Sequence, residues 1–472
     1  MSQVATSDAA QELLDRVGRL AEHARETGER RLITVTREID PVDPTAVAFA
    51  SRRADDRWFC WEEPDRDGLA IAGIGSAHEV VSRGDGRSAD LIADTTAIML
   101  RRLADEPENM PTGAGPLWSG GMAFSAHSAS AGPWSSLPPA LLVLPELLIA
   151  RSEGRASADA VRVRGSGDRA GGPPRAARRA PGLAPGGTAA AARPAPGRRR
   201  RGLLGPPPAD YERAVAAAVE RIRAGEFEKL VLAREVRVTG PSAHSAAAVL
   251  GALREAFSSC FCFCVGTPEA AFVGASPELL VRRSGAVAAT VALAGSARRS
   301  ADPAVDDHLG EQLLHSDKDR GEHAIVVKRI SRRLAPLSVW VEAVPEPVVI
   351  KVANIQHLAT PIHAQLAESR SALELAGLLH PTPAVGPEPR GPEGEAAIAE
   401  LEGMERGWYA GPVGWMDPAG DGEFCVALRS ALLRDRTAHL YAGAGIVAGS
   451  DPAAELAETE IKLGALLPLL AG

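Results

Sequence analysis

Three runs rich in small residues lie close together near the carboxyl end of this chain, between His380 and Lys462. They are LHPTPAVG at Leu379–Gly386, RGWYAGPVGW at Arg406–Trp415 and YAGAGIVAGSDP at Tyr441–Pro452. Glycine and proline at this density are not typical of an ordinary core, and glycine lets a backbone come close to another group. The runs therefore predict a fold in which backbone segments lie against a bound ligand.

Apolar residues elsewhere recur with a period of two in short runs and with helical spacing in longer ones. Strands are predicted near residues 32–39, 57–64, 68–75, 229–238, 261–265, 271–274, 278–283 and 287–293, and helices near 305–316, 318–335, 393–404 and 452–470. Antiparallel strands with intervening helices indicate an α+β fold and not a doubly wound sheet. No glycine-rich nucleotide-binding motif is present, so nucleotide binding has no support.

A basic, low-complexity stretch divides the chain. Residues 165–208 hold nine arginines and one acid, and they contain no Ile, Val or Phe. Such a stretch cannot bury a core. The sequence therefore predicts an N-terminal α+β half at 1–155, a mobile Arg/Pro/Gly/Ala-rich linker at 156–208 and a catalytic region at 209–472.

Charge and hydropathy exclude several classes of protein. The net charge of −8 argues against a general nucleic-acid binder, and the arginine run in the linker is explained as well by solvation. No apolar run reaches the ~18 residues of a membrane span, and the first residues do not read as a secretory signal. We expect a cytoplasmic protein that binds neither nucleic acid nor membrane.

Three of the five cysteines alternate with phenylalanine in the run CFCFC. At the period of a strand, Cys260, Cys262 and Cys264 point to one face and the phenylalanines to the other. A zinc site would need four ligands at turn-like spacing. Buried strand cysteines are therefore expected instead of a metal site.

Acidic residues near the carboxyl end share one face of a predicted helix. Glu455 and Glu458 are three residues apart, and Lys462 follows Glu458 by four. Glu322 lies near the start of another predicted helix. A hard cation such as Mg²⁺ takes carboxylate oxygens, and Glu322 with Glu458 would supply them. The alternative is a surface Glu–Lys pair, which is common on helices.

Four further residues are candidates for proton transfer. Lys229 begins a strand, where a lysine is usually solvated, whereas a lysine that acts as a base is partly buried. Glu278 follows Pro277 at a turn that could aim its carboxylate into a cleft, although it could equally be a loop glutamate. His357 and His380 could act as bases, but isolated histidines are more often structural.

Groups that could hold an anion lie in the last third of the chain. Gly443, Ala444 and Gly445 could present backbone N–H groups to an anion as a nest. Arg429, in a predicted strand, could clamp a carboxylate with two hydrogen bonds.

Taken in order, these runs resemble the chorismate-binding family, which includes isochorismate, salicylate, anthranilate and aminodeoxychorismate synthases. The similarity covers residues 210–470 and adds KLVLAREV, FVGASPELLVRR, LAGSARR, SDKDRGEHAIVV, IQHLATPI, GEFCVALRSA and ELAETEIKL to the three runs above. The first 155 residues resemble the N-terminal half of that family more loosely. The resemblance implies two stacked antiparallel sheets flanked by helices.

Two positions separate the subfamilies. Lys229 stands where isochorismate- and salicylate-forming members carry a water-activating lysine, and where anthranilate synthases carry Gln. Ala294 stands where aminodeoxychorismate synthases carry a nucleophilic lysine. The resemblance thus implies an isochorismate synthase, an isomerase of siderophore or menaquinone biosynthesis that is a monomer without a glutaminase subunit. A salicylate synthase and a non-catalytic chorismate binder are the alternatives.

The resemblance also implies a role for each site residue. Lys229 is the general base that activates water for attack at C2 of chorismate, and Glu278 is the acid that protonates the departing C4 hydroxyl. Glu322 and Glu458 hold Mg²⁺. The residues implied in substrate binding are Gly295, Ser296, Ala384, Tyr409, Arg429, Gly443, Gly445 and Lys462. Pro387 stands where a second glycine is common, so a loop amide near the substrate is expected to be missing.

Overall fold

The computed structural model describes residues 15–20, 22, 31–82, 84, 87–100, 102–107, 109–126, 132–164, 202–352 and 355–471. Within these ranges the strands are β1 (Arg31–Ile39), β2 (Trp58–Glu63), β3 (Leu69–Ile74), β4 (His78–Ser82), β5 (Arg102–Asp105), β6 (Trp118–Met122), β7 (Ala140–Leu144), β8 (Leu147–Ser152), β9 (Arg155–Arg164), β10 (Gly202–Leu204), β11 (Leu230–Thr239), β12 (Phe261–Gly266), β13 (Ala271–Ser276), β14 (Leu279–Ser284), β15 (Val287–Arg298), β16 (Ser338–Ala343), β17 (Val348–Val352), β18 (Ile355–Leu366), β19 (Pro412–Met416), β20 (Gly422–Val426), β21 (Ser430–Arg434) and β22 (Thr437–Ile446). The helices include α1 (Pro44–Ser51), α2 (Arg87–Met99), α3 (Pro208–Arg223), α4 (Ala246–Ala256), α5 (Pro303–His315), α6 (Asp317–Leu334), α7 (Ala372–Leu379), α8 (Pro392–Glu402), α9 (Pro452–Leu463) and α10 (Leu467–Ala471).

The strands form two large sheets whose inner faces share one apolar core. One sheet has the order β10-β11-β22-β21-β13-β12-β2-β3-β8-β9-β1-β5, and the other has β16-β18-β15-β14-β20-β19-β6-β7-β4 with β17 also paired to β18. Every neighbouring pair is antiparallel except β1 and β5. The predicted α+β fold of two stacked antiparallel sheets flanked by helices is confirmed.

Both parts of the chain contribute strands to both sheets. Strand β12 pairs with β2 in one sheet, and β19 pairs with β6 in the other. An edge of β2 and an edge of β6 are therefore completed by strands that lie some 200 residues or more later in the chain. The division at residue 155 separates segments of sequence but does not separate the sheets.

The predicted linker at 156–208 is wrong at both of its ends. Residues 156–164 belong to β9, which pairs with β1 and β8, and β10 pairs with β11 before α3 begins at Pro208. The buried side chains of Ala156, Ala158 and Ala160 are small, so this part of β9 lacks the aliphatic pattern that marks most strands. The rest of the predicted linker, 165–201, lies outside the described residues.

The alternating CFCFC run forms β12 near the middle of the larger sheet. Cys262 and Cys264 pack in an apolar cluster with α4, whereas Phe263 packs in the core between the sheets. The three cysteines of this run are buried, as the alternation predicted, and Cys60 and Cys425 are buried as well; all five are free. Burial on both faces fixes the register of β12, because a shift by one residue would exchange the two faces.

Two capped helices carry acidic residues toward the same region. Ser316 accepts a hydrogen bond from the Asp319 backbone N–H at the start of α6, and Asp451 accepts one from Ala454 at the start of α9. Side-chain caps of this kind fix where a helix begins. The helix predicted at 452–470 is interrupted after Leu463 and continues as the short helix α10. No helix in the described ranges is long and apolar enough to cross a membrane.

We expect Gly266→Ala to lower the free energy of unfolding by about 1–3 kcal/mol, because a Cβ at this position would overlap the indole ring of Trp58 on the paired strand β2. Gly251→Ala is the matched control. Gly251 lies in α4 with open space around its missing Cβ, so the same substitution should stabilise the protein by about 0.5–1 kcal/mol. Urea unfolding of both variants measures the difference, and equal effects would contradict it.

Candidate active site

One cavity collects most of the residues singled out in the sequence. Its walls come from the strands β11, β15, β18 and β22, the helices α6 and α9, and the loops around residues 277–278, 384–385, 406–410 and 428–429. Eleven of the twelve predicted site residues line it: Glu278, Gly295, Ser296, Glu322, Ala384, Tyr409, Arg429, Gly443, Gly445, Glu458 and Lys462. Residues that lie far apart in the chain thus meet at one place.

Lys229 does not line the cavity itself, but it contacts Glu322, which does. Its residue is 0% exposed, and its Nζ donates a hydrogen bond of 2.7 Å to Oε1 of Glu322. Gly445 makes this approach possible, because a Cβ there would overlap the Glu322 carboxylate and lie 2.9 Å from Cε of Lys229. Lys229 is therefore not the solvated strand-edge lysine that its position in the sequence favours.

Glu278 joins β13 to β14 and points its carboxyl group into the cavity wall. Its backbone is fixed on both sides, because its N–H donates to Oγ of Ser276 and its C=O accepts from Val426. Burial raises the pKa of Glu278 to about 8, against the opposing effect of the positive charges on Lys229 and Lys462. Most Glu278 side chains are therefore protonated at neutral pH, as an acid catalyst requires.

Carboxylates from α6 and α9 face each other across the cavity. Glu458 pairs with Lys462 at 2.7 Å, which is the helical pair expected from their spacing. Burial raises the pKa of Asp319 and of Glu455, and the charge of Glu458 raises both further. Lys318 offsets part of this repulsion, because its Nζ donates to Oε1 of Glu455 at 3.2 Å.

The arrangement of these carboxylates limits the kind of metal site that they could form. In the described part of the chain, no group of three or more His, Cys, Asp or Glu side chains could hold a metal ion. Mg²⁺ commonly uses one or two protein carboxylates together with substrate and water oxygens. Glu322 and Glu458, which both line the cavity, fit that smaller requirement.

Hydrogen-bonded polar side chains, Ser296, His357 and Arg429, form another part of the cavity wall. His357 contacts Oγ of Ser296 at 3.1 Å through Nδ1, and the guanidinium of Arg429 at 3.0 Å through Nε2. Burial lowers the pKa of His357 well below its usual value, and the charges of Arg429 and Lys462 lower it further. Since Arg429 can only donate, the neutral ring accepts at Nε2 and carries its proton on Nδ1.

The role of His357 cannot be assigned from the sequence, because an isolated histidine is more often structural. Its position in β18 beside β15 becomes evident only from the pairing of those strands. His380, the other candidate, does not line the cavity and bonds through Nε2 to the Phe124 carbonyl.

Two local predictions about backbone groups are wrong. Gly443, Ala444 and Gly445 do not form a nest, because they continue the regular pairing of β22 with β11. The Gly443 carbonyl accepts a hydrogen bond from Nζ of Lys462 at 2.9 Å. Pro387 is not among the residues that line the cavity, and it packs instead against Gly394.

Comparison with known proteins places this geometry in a family. Residues 19–471 match the family model described as "Chorismate binding enzyme". A Pseudomonas aeruginosa protein named "Salicylate biosynthesis isochorismate synthase" is 35% identical over 92% of this chain and 89% of its own length. The Bacillus subtilis protein named "Isochorismate synthase MenF" is 31% identical over 95% of both chains.

The fold agrees with solved structures as well. The menaquinone-specific isochorismate synthase MenF from Escherichia coli superposes with a TM-score of 0.74 at 26% sequence identity, covering 98% of this chain and 99% of that one.

We expect Glu278→Gln to stabilise the protein by about 1–3 kcal/mol at pH 7, because the buried carboxylate titrates at about 8 when folded and near its ordinary 4.5 when unfolded. A raised pKa means that Glu278 contributes its full stability below pH 4.5 and loses it as the pH rises toward 8. The advantage of the variant should therefore be absent at pH 4, grow between pH 4.5 and 8, and then level off.

Urea unfolding at several pH values measures this difference. Glu311→Gln, at an exposed position of α5, is the control for the same change of side chain. An advantage of Glu278→Gln that does not depend on pH would contradict the raised pKa.

Proposed function

The chain belongs to the chorismate-binding enzyme family, and we propose that it is an isochorismate synthase that converts chorismate to isochorismate reversibly. The observation that carries the proposal is the position of a lysine and a glutamic acid at one cavity: Glu278 lines it, and the buried Lys229 donates to Glu322, which also lines it. A lysine at position 229 favours the addition of water over the addition of ammonia, in keeping with the names of the relatives.

The proposed reaction moves a hydroxyl group without any change of oxidation state. In its neutral form Lys229 accepts a proton from water as the water oxygen bonds to C2 of chorismate, and the ammonium group that results pairs with Glu322. The ring double bonds shift, the bond between C4 and its oxygen breaks, and Glu278 donates a proton to the departing hydroxide. Both steps need a catalyst because water is a weak nucleophile and hydroxide is a poor leaving group.

Chorismate is a dianion, whereas the chain has a net charge of −8. Its binding site therefore needs local positive charge. Arg429 and Lys462 supply that charge at the cavity wall, and we assign both to the carboxylates of the substrate. Ser296 offers a hydroxyl group beside His357. Tyr409 and Ala384 complete the wall on the side of the RGWYAGPVGW and LHPTPAVG runs.

Glu322 and Glu458 are the residues that we propose to hold Mg²⁺. The bound cation would neutralise the charge of a substrate carboxylate. It would also stabilise the negative charge that develops during the reaction. Glu322 accepts from Nζ of Lys229 and lines the cavity, so it would serve both the proposed base and the cation.

A salicylate synthase is the second candidate, although the P. aeruginosa relative connected with salicylate biosynthesis is itself named an isochorismate synthase. Such an enzyme would form isochorismate and then eliminate pyruvate in the same cavity. The use of the product for siderophores or menaquinone, a monomeric state, the lack of a glutaminase subunit and a cytoplasmic location all stay predictions.

Incubation of the purified protein with chorismate and Mg²⁺, followed by chromatography, should yield isochorismate without pyruvate. We expect Lys229→Ala to lower kcat by about 10²–10⁴-fold, which is the usual contribution of a positioned general base, and EDTA to abolish turnover. Lys328→Ala is the control, because Lys328 is an exposed lysine of α6.

Two outcomes would overturn this assignment. Salicylate and pyruvate as products would identify a salicylate synthase. Thermal stabilisation by chorismate without any product would identify a binding protein that is not an enzyme.

A further inference from the structure

The loop after the LHPTPAVG run places a buried glutamate beside the proposed base. Glu388 is 2% exposed. Its backbone N–H donates to the Lys229 carbonyl at 2.8 Å, and its own carbonyl accepts from Glu228 at 2.8 Å and from Lys229 at 3.3 Å. These bonds form a short antiparallel bridge, so the position of the Lys229 backbone follows the position of this loop.

The Glu388 side chain ties the same loop to helix α6. Its carboxylate pairs with the guanidinium of Arg329 at 2.7 Å, and this carboxylate is 3% exposed. One turn further along α6, Arg333 donates to the carbonyls of Leu379 and Pro381 at 2.6 and 2.8 Å. Helix α6 thus holds both ends of the loop between residues 379 and 388.

These contacts connect three parts of the chain to one another: Lys229, helix α6 and the loop between residues 379 and 388. Glu322 lies seven residues before Arg329, which places both on one face of α6. At one end of that face Glu322 binds Nζ of Lys229, and at the other end Arg329 holds the loop that binds the Lys229 backbone. A movement of the loop relative to α6 would therefore shift the Lys229 backbone while its amino group stays attached to Glu322.

We infer that Glu388, through its ion pair with Arg329, is a positioning residue that aligns Lys229 for the reaction. The inference rests on the proposed function. Glu388 does not line the cavity and touches no substrate-binding group, so it acts through the Lys229 backbone. A displacement of a catalytic group by about 1 Å is enough to lower a rate about 10²-fold.

The variants must separate positioning from simple stabilisation of the fold. Loss of Arg329 alone would leave the buried Glu388 carboxylate without its ion pair, whereas replacement of both partners by apolar groups is often tolerated. The informative variant is therefore the double substitution Arg329→Met with Glu388→Leu. Its matched control is Arg320→Met with Glu346→Leu, which removes an exposed pair whose arginine lies on the same helix.

Steady-state kinetics at saturating Mg²⁺ and hydrogen exchange of the Glu228 and Lys229 amides test the inference together. We expect the double variant to unfold at a urea concentration close to that of the wild type. Its kcat should fall about 10–100-fold with KM for chorismate changed less than threefold, and both amides should exchange faster. The control pair should leave all of these quantities unchanged.

A stably folded double variant with wild-type kcat would overturn the inference and leave the pair a structural role alone. Unchanged exchange of the two amides would also overturn it, because the ion pair would then not hold the Lys229 backbone. Exchange does not depend on which product forms. A wild-type protein that makes no isochorismate would therefore refute the proposed function, while the exchange result still decides whether Glu388 holds Lys229.

Discussion

The burial of one lysine is the constraint on which the site depends. A buried ammonium group is unfavourable by several kcal/mol unless a partner of opposite charge lies close to it. Glu322 provides that charge at 2.7 Å, and it can do so because α6 begins at a side-chain cap that sets the position of its first turns. Gly445 lacks the Cβ that would separate the two side chains. The ion pair thus joins the start of β11 to α6, and β22 permits it by having a glycine at position 445.

Much of this site could be predicted because several motifs occur in one order along the chain. Their joint occurrence indicates which residues meet in the fold, even where the spacing within a single motif does not. Helical periodicity placed Glu458 and Lys462 on one face of α9, and the structure shows their ion pair. Spacing alone could not decide whether Lys229 is solvated, since the residues that cover it, Glu322 and Gly445, are about 90 and 220 residues away. His357 was uncertain for the same reason, because its partners lie on β15 and after β20.

The fold class followed from sequence more readily than the ends of its elements did. Alternation in CFCFC identified a strand buried on both faces, because large and small apolar side chains pack on opposite sides of it. Strand β9 was missed where its buried residues are alanines, whose preference for strands is weak. The glycines of β22 suggested a nest because glycine adopts many conformations, and only the pairing with β11 shows that these residues are extended.

Strands from the first third of the chain pair with strands from much later in it, and this pairing determines when the two sheets can form during synthesis. When the ribosome has completed β2 and β6, their eventual neighbours β12 and β19 have not yet been synthesised. Both strands then present open hydrogen-bonding edges, which are prone to pair with other chains. In the larger sheet β22 lies between β11 and β21, so that sheet closes only after residue 446 has emerged. Folding of the two sheets is therefore largely post-translational. Unpaired strand edges stay exposed until most of the chain has been synthesised, and chaperones that bind such edges would act over that whole period.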